Sequence, residues 1–218
     1  MQAKRVTLFA GHYGSGKTNV AVNFALHLAA QGKAVTLADM DIVNPYYRSK
    51  DSAKDLEAAG VKVIASAYAN TNVDVPALPQ EMYSVTEDKS RYAVLDVGGD
   101  DDGAIALGRY KQYFDKTNYE MYLVVNTRRP LTQTKEEILE MKENIEFASR
   151  LTVTGLIADT NLADETTEDV VMEGVKTVSE VSSTCGLPMV YVCTPEGVIL
   201  SNVPVEKQFS ITRHLLKI

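Results

Sequence analysis

The sequence contains no block of lysine or arginine, no CxxC pair, and no apolar run near the roughly 20 residues that span a bilayer. Its net charge is −7, from 29 acidic and 22 basic residues. Without clustered positive charge an unspecific grip on nucleic-acid backbone has no electrostatic basis, so no direct nucleic-acid partner is expected. The stretch from Met1 to Arg5 leads straight into a strand pattern with no signal-peptide core, and a cytoplasmic location is expected. There are two cysteines, Cys185 and Cys193, with no histidine cluster beside them. Zinc or iron–sulfur ligation needs more ligands than these, and the pair reads as small buried thiols in a reducing compartment. Repeats, linkers and low-complexity tracts are also missing, so residues 1–218 read as a single domain large enough to bury a core without staples.

What is there is an alternation of short β-rich runs with longer helical patterns. Strands are predicted over 6–10, 34–38, 61–65, 92–96, 122–126, 153–158 and 189–193. Helices are predicted over 17–31, with Gly32 as its stop, over 134–149, opened by a Thr134/Glu137 capping box, and over 167–183. Residues 67–90 look irregular, with one short helix at most. Strands joined by helical crossovers give a three-layer α/β fold. It has a mostly parallel sheet of seven to eight strands, with helices on both faces. Ligands bind such sheets at the carboxyl ends of the strands.

Gly11-His12-Tyr13-Gly14-Ser15-Gly16-Lys17-Thr18 matches G-x-x-x-x-G-K-[ST], directly after a strand pattern and before a helix pattern. Glycines let the backbone turn and aim its N–H groups at phosphate oxygens, and the helix N-terminus adds its positive dipole end. Lys17 supplies charge for the β- and γ-phosphates, and the Thr18 hydroxyl is placed for Mg²⁺. Asp39 and Asp41 close the second strand on one side of its alternation, so both can face the phosphates. Asp96 ends the fourth strand as a magnesium-associated acid, followed by Gly99, whose N–H is available to a γ-phosphate. Asp100, Asp101 and Asp102 continue that loop as solvated charge.

Residues 14–29, with Gly32-Lys33 and Ala38-Asp39-Met40-Asp41, resemble the MinD/ParA group of ATPases, allied to the CobQ/CobB-type P-loop proteins. The resemblance is close over 5–45, returns at Asp96–Gly99 and is weaker beyond. It implies MgATP binding, slow hydrolysis, a nucleotide-dependent homodimer and a switch acting on a client protein. It implies that Lys17 and Asp41 are catalytic, Asp41 orienting the attacking water, and that Thr18, Asp39 and Asp96 hold Mg²⁺. Around the nucleotide it places residues 11–18 with Asn19 and Gly99, an adenine contact at Asn161, and loop backbone near Pro195. One departure stands out: His12 occupies the position where the group carries a lysine that reaches across the dimer. Arg48, Lys50 and Arg109 are candidates to supply the missing charge.

Asn161 and Asp164 also read as a degraded guanine motif with Leu162 in place of its lysine, and on that ground ATP is favoured over GTP. A metal-insertion GTPase and a CobQ- or dethiobiotin-synthetase-like ligase remain as alternative functions. Arg128 and Arg129 end the fifth strand, where an arginine can reach a phosphate or a partner acid, or can simply be solvated. Residues 206–218 form no clean amphipathic stripe, so packing onto the domain is expected rather than membrane binding.

Overall fold

The structure is a computed structural model that describes residues 3–40, 50–65, 82–98, 101–114 and 118–213. Its strands in chain order are β1 (Val6–Ala10), β2 (Val35–Asp39), β3 (Lys62–Ala65), β4 (Tyr92–Asp96), β5 (Tyr119–Val125), β6 (Gly155–Ala158), β7 (Met189–Pro195) and β8 (Gln208–Ile211). They form one eight-stranded sheet in the order β3-β2-β4-β1-β5-β6-β7-β8, and every ladder in it is parallel. β1 and β2 are buried along their whole length, which is why they read as mostly apolar runs instead of alternating ones.

Among the described residues six α-helices cover the sheet: α1 (Lys17–Ala30), α2 (Lys50–Ala58), α3 (Met82–Glu87), α4 (Asp101–Gly108), α5 (Lys135–Ser149) and α6 (Glu168–Cys185). One apolar layer joins Val20, Phe24 and Leu28 of α1 to Phe9, Leu37, Val94 and Val124 on the sheet. On the opposite face Leu8, Ala38 and Leu95 pack with Met82, Val85 and Leu107, and Leu123, Leu156 and Val192 pack with Ile138, Val171 and Val178.

α5 begins in the capping box foreseen from sequence. Thr134 Oγ1 accepts from the Glu137 amide at 3.3 Å, and Glu137 Oε2 accepts from the Thr134 amide at 3.0 Å. Within the carboxy-terminal stretch, residues 208–211 pack onto the domain as β8, the eighth strand among the described residues, and 214–218 lie outside them. Phe209 and Ile211 of β8 are buried, and Asn23 on α1 holds the chain after it, donating to the Thr212 carbonyl and accepting from its amide. No helix among the described residues is long and apolar enough to cross a membrane. Both cysteines are free thiols, Cys193 buried and Cys185 half-buried.

Candidate nucleotide-phosphate site

The sheet order reverses around β1, which lies between β4 and β5, and the crevice at its carboxyl end receives residues 11–16. Glycine is required there for contact as well as for backbone angle. A Cβ on Gly11 would lie 2.4 Å from the Val124 carbonyl oxygen. Gly16 has φ +88, and a Cβ on it would lie 1.9 Å from Asp159 Oδ2. The turn closes with the Ser15 amide donating to the His12 carbonyl at 3.0 Å. Gly16 is also the N-cap of α1 and offers no side chain to its amides, whereas α5 and α6 are capped by Thr134 and Thr167. Of these three helices, the one without a side-chain cap is the one that follows the glycine loop, as an anion site requires.

Lys17 is 4% exposed, so its side chain is withdrawn from solvent. Asp39 and Asp96 are register partners across β2 and β4, and both are buried. Two adjacent carboxylates in a low-dielectric setting repel each other, and a divalent cation resolves that repulsion. Among the described residues no group of three or more His, Cys, Asp or Glu could hold a metal by itself. Mg²⁺ suits this donor set, because it takes one or two carboxylates and completes its shell with water and phosphate. The buried pair Asp39 and Asp96, with the Thr18 hydroxyl, is a donor set that would fit Mg²⁺.

The remaining expected residues divide. His12 Nδ1 faces the carbonyl of Tyr13 at 3.1 Å, and the Tyr13 ring is 66% exposed at the loop tip. Asn19 lies in the first turn of α1, where its carbonyl accepts from Asn23. Asn161 sits beside the loop, its Nδ2 3.9 Å from where a Gly16 Cβ would stand, and Nδ2 donates to the Asp159 carbonyl at 2.8 Å. Pro195 ends β7, paired in register with Ile211 of β8, and nothing brings it to the loop. Asp164 is ion-paired with Arg213. Asp41, Gly99, Arg48 and Asp100 lie outside the described residues, as does the stretch 44–47.

Two further residues meet the loop: Asp159, which the sequence reading did not single out, and Arg129, which it offered as a phosphate or partner contact. Asp159, the residue after β6, is 7% exposed, and burial pushes its carboxyl up to about 7, with Cys193 and Asn161 drawing it partly back. Asp159 also acts on Cys193, whose thiol is raised, by burial first and then by the neighbouring carboxylate. Arg129, in the turn after β5, donates from Nε to the Gly14 carbonyl at 3.1 Å. The adjacent Arg128 points elsewhere and pairs with Glu173 of α6. An acid just past one strand end and an Arg-Arg-Pro after another were visible in the sequence, but which of them meets the loop depends on strand order.

No protein-family model and no curated protein matches the sequence. Solved structures do match the fold. Cell division protein FtsY from Thermotoga maritima superposes with a TM-score of 0.59 at 20% identity, over 85% of this chain and 60% of that one. Chloroplast FtsY from Physcomitrella patens gives 0.56 at 18%, over 88% and 58%. The signal recognition particle receptor FtsY from Elizabethkingia anophelis, in complex with GDP, gives 0.52 at 18%, over 88% and 57%. The chain thus spans about 60% of the length of these proteins.

These neighbours overturn the expected kinship with MinD/ParA ATPases, and with it the expected function as an ATPase switch of that type. The residues behind that expectation, 5–45 and Asp96–Gly99, are the phosphate loop, its helix and the strand-end acids. Phosphate chemistry imposes those on P-loop proteins of several families, so they do not decide among them. The role implied for Asp41 and the cross-dimer significance of His12 lose their basis as well. What the chain shares with FtsY is the single-sheet α/β fold of a P-loop nucleoside triphosphatase.

Proposed function

We propose that this protein is a P-loop hydrolase that binds a guanine nucleotide with Mg²⁺ and acts as a nucleotide-dependent switch on a client protein. The observation that carries this reading is the glycine loop on an uncapped α1, set beside the register-paired Asp39 and Asp96. The guanine preference draws support from the likeness to FtsY bound to GDP, and from Asn161 and Asp164 beyond β6. It replaces the ATP preference that Leu162 suggested.

In this reading the loop amides and Lys17 hold the phosphate chain. The Thr18 hydroxyl, Asp39 and Asp96 orient the metal, which when bound neutralises charge on the phosphate oxygens. A path to a client starts at Asp96. Gly98 follows it in the same strand-end segment and lies in backbone contact with Gly103 of α4, where an added Cβ would come 2.5 Å from Gly98 Cα. A shift of that segment with the state of the nucleotide must displace α4, because packed backbone does not deform continuously.

Thermal unfolding with Mg²⁺ and each nucleotide tests the proposal. At a hundred times the dissociation constant, GTP or GDP should stabilise the protein by about 2.7 kcal/mol. ATP should not, and Lys17→Ala should abolish the effect. Preferential stabilisation by ATP overturns the guanine assignment, and no stabilisation by either nucleotide overturns the whole reading.

A further inference from the structure

The geometry points to Arg129 as a positioning residue of the phosphate site, holding the loop in its binding turn and bringing a second positive charge beside it. This inference rests on the nucleotide reading above. Its starting point is the contact with Gly14. Arg129 Nε donates to the Gly14 carbonyl at 3.1 Å, and a Cβ on Gly14 would meet Nε, Cδ and Cζ at 3.2, 3.4 and 3.6 Å. The Arg129 side chain therefore lies against the loop at the place where a side chain on Gly14 would project. Gly14 also has φ +76, a backbone conformation that favours glycine.

The Gly14 carbonyl belongs to the same peptide as the Ser15 amide, which donates to the His12 carbonyl at 3.0 Å and closes the turn. A charged donor on the oxygen of that peptide polarises it and strengthens the bond its N–H makes. Arg129 so acts on the loop through its backbone. After the Nε bond, the two terminal Nη groups make no hydrogen bond among the described residues, whereas the Arg128 guanidinium is committed to Glu173. The two neighbouring arginines have separate assignments.

The turn that carries Arg129 is itself built. Asn126 is fully buried, and its Oδ1 accepts from the Arg128 amide at 3.0 Å. Its carbonyl accepts from the Arg129 amide at 3.2 Å and from Thr132 Oγ1 at 2.8 Å. Leu131 takes φ 63 to complete the turn, a conformation few non-glycine residues adopt. The backbone of Arg129 is thus fixed before any ligand arrives, and its Nε bond removes part of the side chain's remaining freedom.

Charge gives the reason for such a residue. The buried acids Asp39 and Asp96 close two paired strands, one of them beside the strand that leads into the loop, and the loop's own sequence offers Lys17 as its cation. A phosphate chain entering there adds further negative charge, and a planar fork of donors suits phosphate oxygens better than the imidazole at position 12.

The test compares wild type, Arg129→Gln and Arg129→Lys in steady-state Mg·GTP hydrolysis, GDP binding and unfolding without nucleotide. Arg129→Gln should lower kcat about tenfold or more. Its unfolding temperature should stay near wild type, since the side chain is exposed. Arg129→Lys, which keeps charge without the planar fork, should recover part of kcat. The inference is overturned if Arg129→Gln turns over within twofold of wild type. It is equally overturned if both variants lose GDP and GTP affinity alike along with unfolding temperature, which describes a brace and nothing more. Failure of wild type to bind guanine nucleotide would show separately, in the first column of the experiment, and would remove the underlying reading instead.

Discussion

Asp159 presses its carboxylate into the space a side chain would fill on Gly16, with Oδ2 1.9 Å from the position of a Cβ there. The acid after β6 and the last glycine of the phosphate loop are therefore in contact, although 143 positions separate them (159 − 16). The loop is shaped from behind by a titratable group.

Gly16→Ala should disable the loop. The substitution adds a methyl group against Asp159 at a residue already in the left-handed region with φ +88. Guanine-nucleotide affinity should fall at least about tenfold, with stability lowered by about 1 kcal/mol or more. Fluorescence titration with a labelled GDP, alongside urea unfolding, measures both. Affinity equal to wild type would mean that Asp159 can move aside without disturbing the phosphate cradle.

The same acid predicts a pH dependence. Its carboxyl is raised in the fold from 3.8 to about 7, chiefly by burial. The native state therefore holds a proton that the unfolded chain releases at lower pH. Its contribution is fully present below pH 3.8 and is lost as pH rises through about 7. That interval corresponds to at most about 4 kcal/mol at 1.36 kcal/mol per pH unit. Asp159→Asn should remove this fall, so its unfolding temperature should gain on wild type between pH 5 and pH 8. A constant difference across that range would show that Asp159 titrates normally. Cys193→Ala, which deletes one of the groups drawing the carboxyl back down, should move the midpoint of the fall upward.

Gly103→Ala tests the path from the site to α4. Within a helix the exchange ordinarily stabilises by about 0.5–1 kcal/mol. Here the new methyl would lie 2.5 Å from Gly98 Cα and 2.8 Å from its amide nitrogen, and backbone atoms cannot turn aside as a side chain does. We expect a net loss of stability. GTP hydrolysis should fall, and GDP affinity should stay within about threefold, because the lysine and the loop glycines are untouched. A stabilised variant with normal turnover would show that α4 moves independently of the strand-end segment.

Much of this molecule was legible in its residues. The strand patterns at 6–10 and 92–96 match β1 and β4 residue for residue, because strands buried on both sides must be continuously apolar. The start of α5 was legible because a capping box is a local interaction between Thr134 and Glu137. β8 was not: its four residues include Gln208 and Ser210, and only pairing with β7 makes them a strand. The family was misread for a related reason. The local motif serves phosphate binding in several P-loop families and so does not separate one from another.

The sequence alone determined that a phosphate loop would follow a buried strand and that acids would close neighbouring strands. Those features depend on residues within a few positions of one another. The tertiary structure decided which strand ends adjoin. It placed Asp39 beside Asp96 across β2 and β4, set Asp159 behind Gly16 and laid Arg129 over Gly14. Each of these contacts joins segments far apart in the chain. Their proximity follows from the order in which parallel strands assemble, which no local pattern of residues encodes.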